Sequence, residues 1–447
     1  MELARAKRDA QYLMVLGTVA FVLLGAGVIA AKRSGSVQDF TTAYYRGVCL
    51  LQHCDPYSGS EIEALYARAG EPPFASDQER LAATRNIYLP GEFPFLVPLA
   101  VLPMELGRAF WILLIATSFI LASFLAWRWG ARYAPLVSAG LVSFCLLNSP
   151  TLFYFGNPAG FLVPFTIIAV WCFLENKFDF AGVVCLSMTL ILKPHNAAFI
   201  WMFFLFSTVG FRRQALRTLM VIAFICIPSL IWAFHISPHW LQEFSSNLHV
   251  LSAPGSASDP TAPHGTCGLI NLQAFTSLLW PEPKSYDLAT YLICAPLLLF
   301  WLFLTRKPAG PAGVWLALAS VAPLSLLPVY HRQYDAKLLL LAVPACALLW
   351  SRRGTLGRLA LGITAAAFIV SGDFFAVGLF GIVNHLYPDA VGHYSRAQSA
   401  ILDCPIPLTL LAMGTFYLWV YAREVQSTKI AESQPGVAEE TLPVSLG

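Results

Sequence analysis

A handful of polar side chains in a strongly apolar chain are of types that do chemistry: Asp39, Asn157, Lys193, His195, His331, Arg332 and Tyr334. Asp39 opens the stretch "DFTTAYYRG", where Val37, Phe40, Tyr44, Val48 and Leu51 recur at steps of three and four. That spacing predicts one apolar face of a helix, with Asp39, Thr42 and Arg46 on the other face. Asp55-Pro56 ends the pattern, because proline disfavours helix in the residue before it. The expectation is a short amphipathic helix along a membrane surface, with Asp39 in its first turn. Asp39 then has two compatible readings. It is an acid favoured by the helix N-terminus, or a general base taking a proton from an attacking hydroxyl, worth roughly 10²–10⁴ in rate.

The other candidates lie far apart in the chain. Lys193 and His195, in "LKPHN", could meet an anion as a point charge and a hydrogen-bonding partner. Lys193 could equally snorkel to the interface. In "YHRQYD", residues 330–335, Arg332 can fork onto phosphate oxygens and His331 can hydrogen-bond a substrate. Tyr330 and Tyr334 could stack on a sugar or belong to an interfacial aromatic belt. Asp335 could pair with Arg332. Asn157 is either a contact to hydroxyl groups or a cap before Pro158. Glu92 reads first as a solvated loop acid and second as another carboxylate near the site, and His385, His393 and Arg396 read as solvated residues. The sequence shows no Cys-x-x-Cys or His/Cys metal spacing and no glycine-rich phosphate loop, so no cofactor and no metal ligands are read from it, and a metal is optional for an acid-based site.

The chain that must position these groups has 447 residues, 57% hydrophobic and 12% charged, with net charge +3. Its mean hydropathy is +0.63. Soluble domains run near a quarter charged, so an all-α polytopic membrane protein is predicted, and nothing points to nucleic acid. Residues 11–31 read as a retained first span, long enough for about 30 Å of helix. Further apolar runs near 108–127, 134–152, 158–174, 178–192, 196–210, 218–236, 287–304, 311–329, 336–350, 358–380 and 406–422 bring the expectation to about twelve spans. The basic residues of the short connections then fall on one side: Arg5, Lys7, Arg8, Arg128, Arg132, Lys177, Arg212, Arg213, Arg217, Arg306, Lys307, Arg352, Arg353, Arg358, Arg423 and Lys429. By the positive-inside rule that side is cytoplasmic, with both termini. The long loops 32–107, 237–286 and 381–405 are then extracytoplasmic. Prolines 90, 94, 98 and 103 predict a broken, surface-lying or re-entrant piece leading into the second span. One transmembrane domain is expected over 1–426, with a disordered tail over 427–447. Among ten cysteines, Cys49, Cys54, Cys267 and Cys404 fall outside, where disulfides form; their pairing is open.

With "DFTTAYYRG", "DPY", "YLPGEFPFLVPLAVLP", "YFGNPAGFLVPF", "AGVVCLSMTLILKPHNAAFIWMFFL" and "YHRQYDAKLLLLAVP" in this order, the chain resembles glycosyltransferase family 87 over most of residues 10–350. These are GT-C-fold membrane enzymes. The resemblance implies inverting transfer of one sugar, mannose by family habit, from a polyprenyl-phosphate sugar to a lipid or glycan acceptor on the outer face of the plasma (inner) membrane. It also implies Asp39 as general base. The family commonly has Gly-Gln where this chain has Gly156-Asn157, and Tyr-Pro-Pro where it has Leu89-Pro90-Gly91; these departures bear on sugar and acceptor. Three other classes compete: a ligase or polymerase of lipid-linked glycans, a secondary transporter, which would call for inverted repeats, and a non-enzymatic scaffold.

Overall fold

A computed structural model describes residues 2–31, 38–208, 210–256, 258–261, 268–307, 310–388, 395, 397–398 and 404–433. His264, Cys267, His393 and Arg396 lie outside these described residues. The described chain is helical throughout, and its one β contact is an isolated antiparallel bridge between Leu269 and Arg332.

Helix α1 (Glu2–Ala31) precedes four short helices: α2 (Gln38–Leu51), α3 (Gly59–Ala69), α4 (Asp77–Thr84) and α5 (Phe93–Val101). The proline-rich segment breaks as its spacing predicts. A 3-10 turn at Pro90–Glu92 feeds α5, and Pro103 caps α6 (Met104–Gly130). The apolar helices follow: α7 (Pro135–Leu147), α8 (Thr151–Phe155), α9 (Ala159–Leu174), α10 (Asp179–Leu192), α11 (Pro194–Phe206) and α12 (Arg212–Ile236). Two loop helices, α13 (Trp240–Leu251) and α14 (Gln273–Leu279), come before α15 (Pro283–Thr305) and α16 (Pro311–Leu324). A 3-10 helix at Gln333–Ala342 runs into α17 (Val343–Ser351). Then come α18 (Thr355–Val370), α19 (Asp373–Leu386) and α20 (Pro405–Ser433).

Each of the expected apolar runs carries a helix. Among the described residues, six are long and apolar enough to cross a bilayer, or seven if the pair Thr355–Val370 and Asp373–Leu386, bent by 62°, counts as one broken span. Others, such as Ala159–Leu174, Asp179–Leu192 and Pro194–Phe206, fall short by length. Large apolar side chains on α12 face outward, Phe224 at 81% and Ile231 at 68% exposure. A contiguous surface of that kind is what lipid covers and water does not. The last helix continues to Ser433, into the segment expected to be disordered.

Helix α2 forms where predicted, with Asp39 in its first turn, but it does not lie on a surface by one face. Phe40, Ala43, Tyr45, Arg46, Cys49 and Leu50 are all buried within the protein, while Leu51, on the expected apolar face, is exposed. Helix α5 covers it so closely that a Cβ at Gly47 would lie 2.6 Å from the carbonyl oxygen of Leu96. A side chain there would force the two helices apart. Cys49 and Cys54 form a disulfide at the C-terminal end of α2. Breaking this short loop with Cys54→Ser is expected to cost about 2 kcal/mol of stability by chain entropy. Melting of the variant against wild type checks it; no change would show that α5 alone fixes the helix end.

Candidate active site

Breaks between helices bring the separated candidates together. Gly156 takes a left-handed conformation (φ 63°) that turns the chain from α8 into α9. The Trp111 indole N–H pins its carbonyl at 2.7 Å. This turn presents Asn157. Pro194 stops α10 and starts α11, since it disfavours helix before itself and suits a first helical position. Lys193 sits at that break. The segment 330–335 is held by backbone bonds: Ile270 N–H donates to His331 O (3.0 Å) and Gln333 N–H to Gly268 O (2.9 Å).

Asn157 is the centre of the cluster. Its amide nitrogen donates to Asp39 Oδ2 at 2.7 Å and to the Tyr334 hydroxyl at 3.2 Å. Its amide oxygen accepts from Lys193 Nζ at 2.9 Å and from the Ala159 N–H at 2.9 Å. The cap expected of Asn157 is there, in its bond from the Ala159 N–H, and the rest of its amide is taken up by Asp39, Tyr334 and Lys193. Lys193 is 7% exposed and does not snorkel. Its Nζ lies 3.6 Å from Asp335 Oδ1 and 4.9 Å from the centre of the Tyr334 ring.

Asp335 does not pair with the Arg332 side chain as the sequence suggested. It takes the Arg332 backbone N–H at 3.0 Å, Asn196 Nδ2 at 2.8 Å and the charge of Lys193. The Arg332 guanidinium donates instead to the Tyr330 hydroxyl at 2.6 Å. Asn196 Oδ1 faces His331 Nε2 at 2.9 Å, and His331 Nδ1 faces Val329 O at 3.0 Å. Both ring nitrogens therefore meet acceptors, an arrangement only the imidazolium fills completely. Burial opposes that charge and lowers the His331 pKa, while the nearby Asp335 favours it. The His195 ring stands edge-on to His331, centroids 4.7 Å apart.

Asp39 is half-buried. Desolvation by the enclosing protein raises its pKa above the ordinary carboxylate value; Asn157, Lys193, Arg332 and Arg46 pull it back in that order. A carboxylate that holds its proton more firmly than usual is also a better base once deprotonated. The cluster thus joins two hydrogen-bonded sets, Asp39–Asn157–Lys193 and Asp335–Asn196–His331, through the 3.6 Å ion pair of Lys193 with Asp335.

The structure gathers all seven sequence candidates, with Arg332 at the edge. Sequence reasoning missed Asn196, although "KPHNA" places it one helical turn from Lys193. It also misread Glu92, which is 2% exposed and not solvated. Glu92 Oε2 lies 3.6 Å from Arg46 Nη2, and Asn86 Nδ2 donates to Glu92 Oε1 at 2.8 Å. A cavity of about 400 Å³ adjoins this second pair. Its walls include Pro158 and Leu192, the chain neighbours of Asn157 and Lys193, and Ala43, one turn from Asp39. No protein-family model matches the chain, and no curated protein matches it.

Proposed function

We propose that this protein is a membrane glycosyltransferase of the GT-C type. It moves one sugar from a polyprenyl-phosphate donor to a lipid or glycan acceptor on the extracytoplasmic face. The observation that carries this reading is the chain Asp39–Asn157–Lys193, a carboxylate and a cation held by one amide. Asp39 takes the proton of the acceptor hydroxyl. The hydroxyl oxygen attacks C1 of the sugar, and the bond from C1 to the phosphate oxygen breaks from the opposite face, inverting the anomeric centre. The polyprenyl phosphate leaves with the electron pair, and Lys193 and Arg332 offset its negative charge. His195, partly exposed beside the His331 ring, supplies a hydrogen bond to phosphate or sugar, while His331, with both ring nitrogens engaged, holds Asn196 in place. Tyr334 holds the Asn157 amide and offers its ring to Lys193.

The raised pKa of Asp39 sets a pH dependence. Transfer needs the deprotonated base, so kcat/KM rises with pH through a midpoint above the ordinary aspartate value of about 3.9. A pH profile of sugar transfer to a lipid extract checks it. A profile flat from acid to neutral pH would remove Asp39 as base.

A further inference from the structure

Asp373 and Lys337 are buried ionisable residues with no part in the transfer steps. Lys337 lies in Gln333–Ser351, a segment long and apolar enough to cross a bilayer. A charge in that setting needs a reason and a partner. Both residues converge on the segment 148–157, which leads to Asn157.

Asn148 and Asp373 cap each other's helices. Asn148 ends α7, and its Oδ1 accepts the Phe374 N–H, in the first turn of α19, at 2.6 Å. Its Nδ2 donates to Phe368 O, near the end of α18, at 3.3 Å. Asp373 opens α19. Its carboxylate accepts the Thr151 N–H at 2.6 Å and the Thr151 hydroxyl at 2.8 Å, at the start of α8. Two helix breaks are thus locked face to face: the one between α7 and α8, and the 62° bend between α18 and α19. The fit leaves no room, since a Cβ at Gly372 would overlap the Asn148 amide.

Lys337 adds a third wall. Its Nζ donates to Asn148 O at 3.0 Å. Side chains three apart eclipse in a 3-10 helix, so Lys337 stands in line with Tyr334, whose hydroxyl takes the Asn157 amide at 3.2 Å. One face of the 3-10 helix therefore grips the segment at both ends, Asn148 before α8 and Asn157 after it. Helix α8 has five residues, too few to hold a helix on their own. Its ends must fix it: Asp373 and Lys337 at one, Trp111 and Tyr334 at the other.

We propose that Asp373 and Lys337 are positioning residues that clamp α8 between two helix breaks and so hold the Asn157 amide on Asp39. The catalytic consequence rests on the transferase reading; the clamp itself does not. Burial raises the Asp39 pKa, and the bond from Asn157 is the largest pull against it. When the clamp loosens, Asn157 slips and Asp39 holds its proton more firmly still. The other charges beside Asp39 are Lys193, Arg332 and Arg46, and the test substitutes none of them.

Two readouts test the clamp. The first needs no activity: each protein is melted across pH against its own Asp39→Asn counterpart. The folded Asp39 pKa is raised, so its contribution is full in acid, is lost as pH rises, and levels off above the folded value. Thr151→Val and Lys337→Met should move that levelling point up by about one pH unit, a tenfold change in proton affinity for one lost hydrogen bond to a carboxylate. Thr151→Ser, which keeps the hydroxyl, should leave it at the wild-type value. Thr290→Val, which breaks the buried 2.9 Å bond between Thr276 and Thr290, should lower melting without moving the point. Should Lys337→Met fail to fold, Thr151→Val, which removes a single hydroxyl, decides alone. The second readout is the pH midpoint of kcat/KM for transfer, which should move by the same amount. Clamp variants that melt lower with Asp39 unmoved overturn the proposal, as does an equal shift in Thr290→Val. A shifted Asp39 in a protein that transfers no sugar overturns the transferase reading alone; transfer with an unmoved midpoint overturns the clamp alone.

Discussion

Asp39→Asn is expected to lose sugar transfer by two to four orders of magnitude, roughly the worth of a general base, while keeping its fold. The replacement is the same size, and its amide oxygen can still accept from Asn157, which now donates at 2.7 Å. Stability supplies a second readout. Burial raises the pKa of Asp39, so the folded state holds the proton more tightly than the unfolded chain. Stability then falls as pH rises from the unfolded value, about 3.9, through the raised folded value. Above that window the wild type carries the cost of a desolvated charge and the variant does not. Asp39→Asn should therefore melt no lower than wild type at pH 7, with the difference shrinking in acid. A variant that melts far lower at pH 7 would mean that Asp39 is mainly a structural acid of the α2 N-terminus.

Asp335→Ala is expected to destabilise the protein by about 3–5 kcal/mol, the cost of stripping a buried charge of its partner. Lys193 would remain buried with only the Asn157 oxygen for its ammonium, and Asn196 would lose the acceptor that orients it toward His331. The double variant Lys193→Met with Asp335→Leu removes both charges and should recover most of the loss, since apolar replacements of buried pairs are often neutral or better. On the proposed mechanism transfer should stay lost in the double variant, because Lys193 is the cation assigned there to the leaving phosphate. Thermal melting of the wild type, Lys193→Met, Asp335→Leu and the double variant in one detergent gives the cycle. Additive single and double effects would show that the 3.6 Å contact carries no coupling.

Much of this site was legible in the sequence because its residues break local rules. A lysine between apolar runs, an acid opening a loop helix and a histidine-arginine pair in a short turn each need a reason in a membrane protein. The proline spacing likewise announced the break before α6, since proline removes a helical hydrogen bond wherever it falls. What stayed hidden depends on partners distant in the chain. Helical periodicity put Arg46 on a polar face, and nothing local revealed that Glu92 and Asn86, some forty positions on, would bury it. Asp335 lies next but two to Arg332, so proximity in sequence suggested the wrong partner; Lys193 and Asn196 reach it only once α10 and α11 pack beside the 3-10 helix. Span counting was limited in another way. Several apolar helices are shorter than the roughly 17 residues a straight crossing needs, and hydropathy does not tell a short tilted span from a buried core helix.

The most direct measurement is transfer itself. The purified protein in nanodiscs would be given radiolabelled polyprenyl-phosphate mannose, glucose or arabinose and a lipid extract of the source cell, with Asp39→Asn in parallel. The expected result is a labelled lipid or glycan, one sugar larger than its acceptor, made by the wild type and not by the variant. Equal product from both would contradict Asp39 as the base. No product from any carrier, with both proteins folded, would contradict the transferase itself.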